Sequence, residues 1–357
     1  VKKLLGCLLV IAGTTGLAPL AAADKVLHLF NWNDYIADET VARFQKQCNC
    51  KVVQDYFSST EEMMAKLLAG GGDYDVVIPT QNAVEALVKQ NFLMALDKSK
   101  LGNMTNMAAG FMNKAYDPGN AYSLPYAFTT TLIGYNESRI TELGIDPADW
   151  SIIFDPAVLE KIKGKVTVMD DSEELFAAAM KYLGYSVNDT NEQHLKDAQA
   201  VILKAKPYWA AFNSSSYIKE LTVGNVWVAH GYSSDMFQAR ADAKEANRDF
   251  SVNFVLPKQG AVLALDNMVI PNKARNPILA HEFINFMMAP ENAAELSNIV
   301  GTGNPNASAN AYIDDEILAI SAIFPSQEQL ATLETISARK SKERRFISRL
   351  WTEVKVR

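Results

Sequence analysis

Two hydrophobic rhythms alternate along this chain. Val26–Phe30 is a short apolar run, Lys51–Tyr56 alternates around Val52 and Val53, and Asp75–Pro79 is a third compact run. Each predicts a strand. Between them, Glu39–Gln47 places Val41 and Phe44 at helical spacing. Ser59-Thr60-Glu61-Glu62 suits a helix start, and Met63, Met64, Leu67 and Leu68 then share one face. Gly70-Gly71-Gly72 ends that helix. No Lys-Ser or Lys-Thr follows the glycines, so they do not read as a phosphate cradle. Asn82–Gln90 predicts a further helix.

The pattern continues beyond an irregular stretch at 95–125. Thr129–Asn136 is a β-branched strand that carries the chain out of one domain. Gly144–Phe154, with Asp146-Pro147 and Trp150, reads as a connecting loop. A helix opens at Pro156, a strand covers Gly164–Met169, and a long helix follows Asp170-Asp171-Ser172-Glu173-Glu174 through Leu183. His194–Lys206 is helical. Val226–Ala229 is a buried strand, Gly231-Tyr232-Ser233-Ser234-Asp235 leads into a helix through Ala246, and Phe250–Leu256 is another strand. Ala261–Ile270 is apolar around Asp266. Helices follow at Pro277–Ala289, Asn292–Asn298 and within Arg339–Arg357, where Phe346, Ile347, Leu350 and Trp351 bury one side of a basic segment. Strands alternating with helices predict an α/β protein of parallel or mixed sheets flanked by helices. The 357 residues suffice for two domains.

Charge and termini change this picture in two ways. Lys2-Lys3, the apolar run Leu4–Ile11 and the small residues Ala21-Ala22-Ala23 form a secretory signal, with cleavage expected near Ala23. Gly13, Gly16 and Pro19 argue against an uncleaved anchor, and only six residues precede Cys7, too few for a lipoprotein signal. The formal charge is -7; leaving out residues 1–23 leaves 32 basic against 41 acidic residues, or -9. That balance argues against nucleic acid and anionic membranes as partners. An exported protein tolerates disulfides. Cys48 and Cys50, two apart, predict either a strained local bridge or two free thiols. The scattered histidines show no metal spacing, and no cofactor fingerprint is present.

The chemistry lies where strands end. After Val26–Leu29 come Trp32, Asn33, Asp34 and Tyr35: two flat aromatic faces and a carboxylate, suited to an organic cation. Glu174 falls in the first turn of a helix after a strand, Asp235 follows the strand ending at His230, and Asp266 interrupts an apolar run. A turn residue would account for Asp34 and helix-start charges for Glu174 and Asp235. Asp266 is least easily explained that way, because an unpaired buried charge is costly. In open α/β sheets, ligands gather beyond the carboxyl ends of strands.

The order of Asn31-Trp32-Asn33-Asp34-Tyr35-Ile36, Tyr74-Asp75-Val76-Val77-Ile78-Pro79, Glu173-Glu174-Leu175-Phe176 and Leu350-Trp351-Thr352 resembles the periplasmic polyamine-binding proteins of bacterial ABC transporters, and within them the putrescine binders. The likeness covers about residues 26–356. It implies a two-lobed periplasmic binding protein fold of type II, with the ligand in the interlobe cleft. Lobe one would take 26–131 and 254–312, and lobe two 132–253 and 313–357. It also implies a monomer, with an inner-membrane permease and its ATPase as partners. By resemblance, Trp32, Tyr35 and Tyr232 stack on the ligand, Asn33 and Asp34 line one end, Thr80 offers a hydroxyl, and Glu174, Asp235 and Asp266 pair with ammonium groups. Ala264 and Thr302 stand where the putrescine binders carry aromatics. Thr302 still lines the site, but the box is more open, so putrescine, spermidine, cadaverine and agmatine all remain as ligands. Competing readings are an exported enzyme using paired carboxylates, a binder of another solute such as an amino acid or ferric iron, and a polyamine sensor. The enzyme has no nucleophile turn or metal cluster behind it. An amino acid would call for an Arg beside the acids.

Overall fold

The computed structural model describes residues 25–33, 35–70 and 73–357. The proposed export signal and Asp34 therefore lie outside the described residues. Among the described residues nine strands form the frame: β1 (Lys25–Trp32), β2 (Cys50–Phe57), β3 (Val76–Val77), β4 (Ser123–Asn136), β5 (Val166–Val168), β6 (Ala211–Phe212), β7 (Val228–Tyr232), β8 (Val252–Val255) and β9 (Leu263–Val269). Their order is β2-β1-β3-β9-β4-β7-β5-β6, with β8 also on β4. β1 pairs in parallel with β2 and β3, and β5 with β6 and β7; β9 and β4 run antiparallel to their neighbours. The sheets are thus mixed.

β4 joins the two halves. Its residues Ser123–Thr130 pair with β9, whereas Thr131–Tyr135 pair with β7 and Ile133–Asn136 with β8. Separate cores lie on either side of this changeover. Lobe one packs around residues 27–127 and 268–296, including Phe44, Ile78, Phe283 and Ile284. Lobe two packs around 132–261 and 322–354, including Ile153, Phe176, Ile202 and Leu350. Another connection runs along 332–339: the Leu263 amide donates to the Glu334 carbonyl, the Glu334 amide donates to the Ala261 carbonyl, and Gln81 of lobe one donates to the Ile336 carbonyl. The lobe-two residue Asn188 donates to the Thr335 carbonyl at 2.9 Å.

Local rules account for most element ends. Ser59 caps the helix Thr60–Leu68 by accepting from the Glu62 amide, and that helix stops before Gly70, whose φ of 73° suits a residue without Cβ. The third strand is shorter than its apolar run. Pro79 lacks an N–H, and the Asp75 carboxylate accepts from the backbone amides of His28 and Asn276. Trp150 is not part of an open loop: it is buried, and its indole donates to the Gly260 carbonyl at 2.9 Å. Of the two states expected for Cys48 and Cys50, the bridge is present; Asn49 between them adopts φ 48°, ψ 53° at the helix C-terminus. No helix among the described residues is long and apolar enough to cross a membrane.

Candidate functional site

β1 delivers Trp32 at its last position, followed by the turn at Asn33. The turn is pinned through its far side, where the Tyr35 carbonyl accepts from the Asn31 amide group at 3.1 Å and from the Tyr126 hydroxyl at 2.6 Å. Trp32 leans on Phe57, ring centroids 4.5 Å apart. The Tyr35 hydroxyl donates to Asp266 Oδ2 at 2.9 Å. Asp266 sits in β9, aligned with Ala127 of β4 and bridged to Thr80. It is 5 % exposed, and burial pushes its carboxyl up to about 7; Tyr35 and the nearby Trp32 indole pull it part of the way back. Asp266 Oδ1 and Trp32 Nε1 are buried without a hydrogen-bond partner.

The facing wall comes from lobe two. Asp171 caps the helix Ser172–Tyr182 by accepting from the Glu173 and Glu174 amides. That cap places Glu174 against β4, where Thr131 donates to Glu174 Oε2 at 2.7 Å. Burial pushes the Glu174 carboxyl up to about 8, and the charges of Asp171 and Glu173 add to the rise. Asp235 lies in the first turn of the helix Ser233–Glu245, which begins where β7 ends. The Tyr217 hydroxyl donates to Asp235 Oδ2, and Ser234 lies 3.3 Å from Oδ1. Burial raises the Asp235 carboxyl against these two donors. Tyr232 stands half-buried at the mouth of the same helix, and burial with the charges of Glu174 and Asp171 raises its hydroxyl pKa. The walls meet electrostatically: the Asp235 charge reaches Tyr35 and adds to the rise in its pKa, which burial and Asp266 dominate.

The structure therefore gathers Trp32, Tyr35, Glu174, Tyr232, Asp235 and Asp266. Thr80 stays at the edge of this group, its hydroxyl donating to Asn82 Oδ1 at 2.6 Å. Thr302 is fully buried with an unpartnered hydroxyl. It is held between Gly301, where a Cβ would collide with Phe237 of lobe two, and Gly303, which exchanges two backbone hydrogen bonds with Phe128 of β4. Asn33 is not brought in: it is exposed in the turn. Ala264 is half-buried opposite Thr129 and supplies no wall.

Sequence reasoning did not pick out Thr131, Tyr126 and Tyr217, the hydroxyls that hold this site. The one signal for Tyr217 was Gly231 within a strand, since a strand glycine often marks a close approach.

Three buried or part-buried carboxyls here each accept from a neutral hydroxyl. Among the described residues no Lys, Arg or His comes within 4 Å of any of them. Nor do three potential metal ligands cluster anywhere among the described residues. Separated acids between aromatic faces fit a molecule with separated positive charges better than a single ion.

Comparison with known proteins gives the same direction. The model of the bacterial extracellular solute-binding protein family matches residues 39–325. A putrescine/cadaverine-binding protein of Pseudomonas aeruginosa is 62% identical over 356 residues, covering 100% of this chain and 99% of that protein. The putrescine-binding periplasmic protein PotF of Escherichia coli is 37% identical over 343 residues, 94% of this chain and 93% of that one. Among solved structures, a putative spermidine/putrescine ABC transporter protein from Listeria monocytogenes superposes with a TM-score of 0.81 at 32% identity, covering 93% of this chain and 99% of that one. A spermidine/putrescine substrate-binding protein of Streptococcus pneumoniae gives 0.85 at 28% identity, with 93% and 99% covered. With the family model spanning most of its length and relatives of this identity along nearly all of it, the chain belongs to the bacterial extracellular solute-binding proteins.

Proposed function

We propose that this protein captures a linear diamine or polyamine between its two lobes in the periplasm and hands it, chemically unchanged, to the permease and ATPase of an ABC importer. The observation that carries this reading is the set of three carboxyls, Glu174, Asp235 and Asp266, lacking any cationic partner among the described residues. Left ionised and unpaired they cost stability; two ammonium groups offset that cost and complete the site. Trp32, Tyr35 and Tyr232 supply faces for the methylene chain, with Thr80 and Thr302 as hydroxyl contacts and, by family resemblance, Asn33 and Asp34 lining one end of the ligand. The names of the relatives point to putrescine and cadaverine. Ala264 and Thr302 leave more room than aromatics would, which favours cadaverine or a longer amine over putrescine.

In this reading the chain works as a monomer after cleavage near Ala23. Lobe one comprises 26–131 and 254–312, and lobe two 132–253 and 313–357; the two cores on either side of β4 support this division except at 254–261, where Phe254, Leu256 and Ala261 pack into the lobe-two core. Closure is a rigid-body motion of one lobe on the other. The test is a thermal-shift panel on the mature protein with putrescine, cadaverine, spermidine and agmatine, followed by calorimetry. At least one amine should raise the melting temperature in a concentration-dependent way. A melting temperature unmoved by all four at millimolar concentration rejects the reading.

A further inference from the structure

Tyr217 opens the short helix Tyr217–Thr222 and is 2 % exposed. Nothing in the amine reading requires a tyrosine there, yet the fold makes room for one. Gly231 on β7 faces its ring, and a Cβ at Gly231 would collide with Tyr217 and lie 2.8 Å from the Met236 methyl. Gly134 on the adjacent β4 clears the space for the Met236 sulfur in the same way. Two glycines on neighbouring strands thus open a slot through which the Tyr217 hydroxyl reaches Asp235.

The hydroxyl has a defined direction. The Tyr232 backbone N–H donates to Tyr217 Oη at 3.4 Å. An amide N–H only donates, so the phenolic proton is left to point at Asp235 Oδ2. Ser234 serves Oδ1. Asp235 is thereby approached by a donor on each oxygen, an arrangement that favours the ionised form and one orientation of the group. The other titratable groups facing this pair are Glu174 from the helix Ser172–Tyr182, Tyr232 from β7 and Tyr35 from lobe one, with Asp171, the cap of that helix, acting on Tyr232. All are acids or phenols, so among the described residues no positive charge supports Asp235 in place of Tyr217.

We infer that Tyr217 is a positioning residue for amine capture, holding Asp235 ionised and in one orientation so that it can receive an ammonium group. This rests on the proposed amine binding. The test is Tyr217→Phe in the mature protein, which keeps the ring in its slot and removes only the hydroxyl. Putrescine and cadaverine affinities are measured by calorimetry from pH 6 to pH 9, alongside the melting temperature without ligand. The variant should bind about tenfold more weakly near neutrality, the scale of one hydrogen bond to a charged group. The loss should grow towards pH 6 and shrink towards pH 9, because Asp235 without its donor ionises only at higher pH. In an Asp235→Asn background the same change should cost nothing further.

Affinities within about twofold of wild type across the pH range overturn the inference, as does an equal loss in the Asp235→Asn background. A wild-type protein that binds neither amine overturns the underlying reading and this inference with it. A wild type that binds beside a Tyr217→Phe variant that binds equally well overturns this inference alone.

Discussion

On the lobe-one wall Asp266 accepts from a single hydroxyl, that of Tyr35, and its second oxygen has no partner; on the lobe-two wall Asp235 has Tyr217 at one oxygen and Ser234 at the other. Both are acid–tyrosine pairs, but they are differently complete. The Trp32 indole N–H on the lobe-one wall is likewise buried without a hydrogen-bond partner, though near enough to Asp266 to lower its pKa. Lobe two has satisfied Asp235 from within, whereas lobe one holds polar atoms whose burial is costly until something fills the cleft. In the proposed reading, dependence on ligand is concentrated on the side built by β1 and β9. The side built by β7 and its following helix already has a donor on each oxygen of Asp235.

The largest test of this contrast is Asp266→Asn. It removes the least satisfied charge without changing shape, and amine affinity should fall by at least about a hundredfold, in the range for losing one partner of a buried charge pair. Calorimetry giving an unchanged dissociation constant would place the charge recognition elsewhere. Next comes Trp32→Ala, which removes an aromatic face but no charge. It should weaken binding by about 1–3 kcal/mol, an aromatic contact's worth, with the loss similar for putrescine and cadaverine.

The third test is pH. Asp266 and Glu174 are raised to about 7 and about 8. Between about pH 4 and pH 8 the folded ligand-free protein therefore holds protons at these groups that the unfolded chain has lost. Their contribution to stability is full at the acid end of that window and is lost as pH rises through 7 and 8. A bound dication reverses the dependence, since it favours the ionised acids. Amine affinity should then rise several-fold from pH 6 to pH 8.5, with proton release seen as a calorimetric enthalpy that varies with the buffer. His230 runs against the ligand-free trend. It is fully buried in lobe two, neither ring nitrogen has a partner, and burial holds its pKa down at about 3. Its penalty appears below about pH 6.5, where an unfolded histidine takes up a proton. A His230→Leu background removes that opposing contribution and isolates the carboxyls.

The elements of the site were readable in proportion to how local their causes are. Trp32 at the end of β1, Glu174 in a capped first turn and Asp235 after β7 follow from periodicity and capping, and the structure places all three as their neighbours in sequence dictate. Asp266 stood out because a charge in an apolar run demands an explanation. The hydroxyls did not stand out. Thr131 lies 43 residues from Glu174 and Tyr217 lies 18 from Asp235, and no spacing rule connects residues joined only by the sheet. The first half of β4 was missed for a related reason. Pro125 suggests a break, whereas here the register shifts between Pro125 and Ala127 and the strand continues. Asn33 follows Trp32 in sequence but lies exposed in the turn, outside the buried cluster.

β4 carries a mechanical consequence. Fourteen residues of one strand pass from one core into the other without an intervening loop, a span of about 46 Å at ordinary strand rise. The lobes are therefore joined here by something closer to a torsion bar than a tether. Any swing of one lobe on the other must be shared among a few backbone dihedrals near Thr130 and Thr131, where the strand changes partners. Those residues are held from several sides: the Thr130 amide donates to Ser233, its hydroxyl donates to the Ala322 carbonyl, and the Thr131 amide donates to the Val262 carbonyl. The Thr131 side chain is itself the donor to Glu174. The hydroxyl that positions a proposed cargo-binding acid thus sits on the axle, which couples filling of the cleft to stiffening of the pivot.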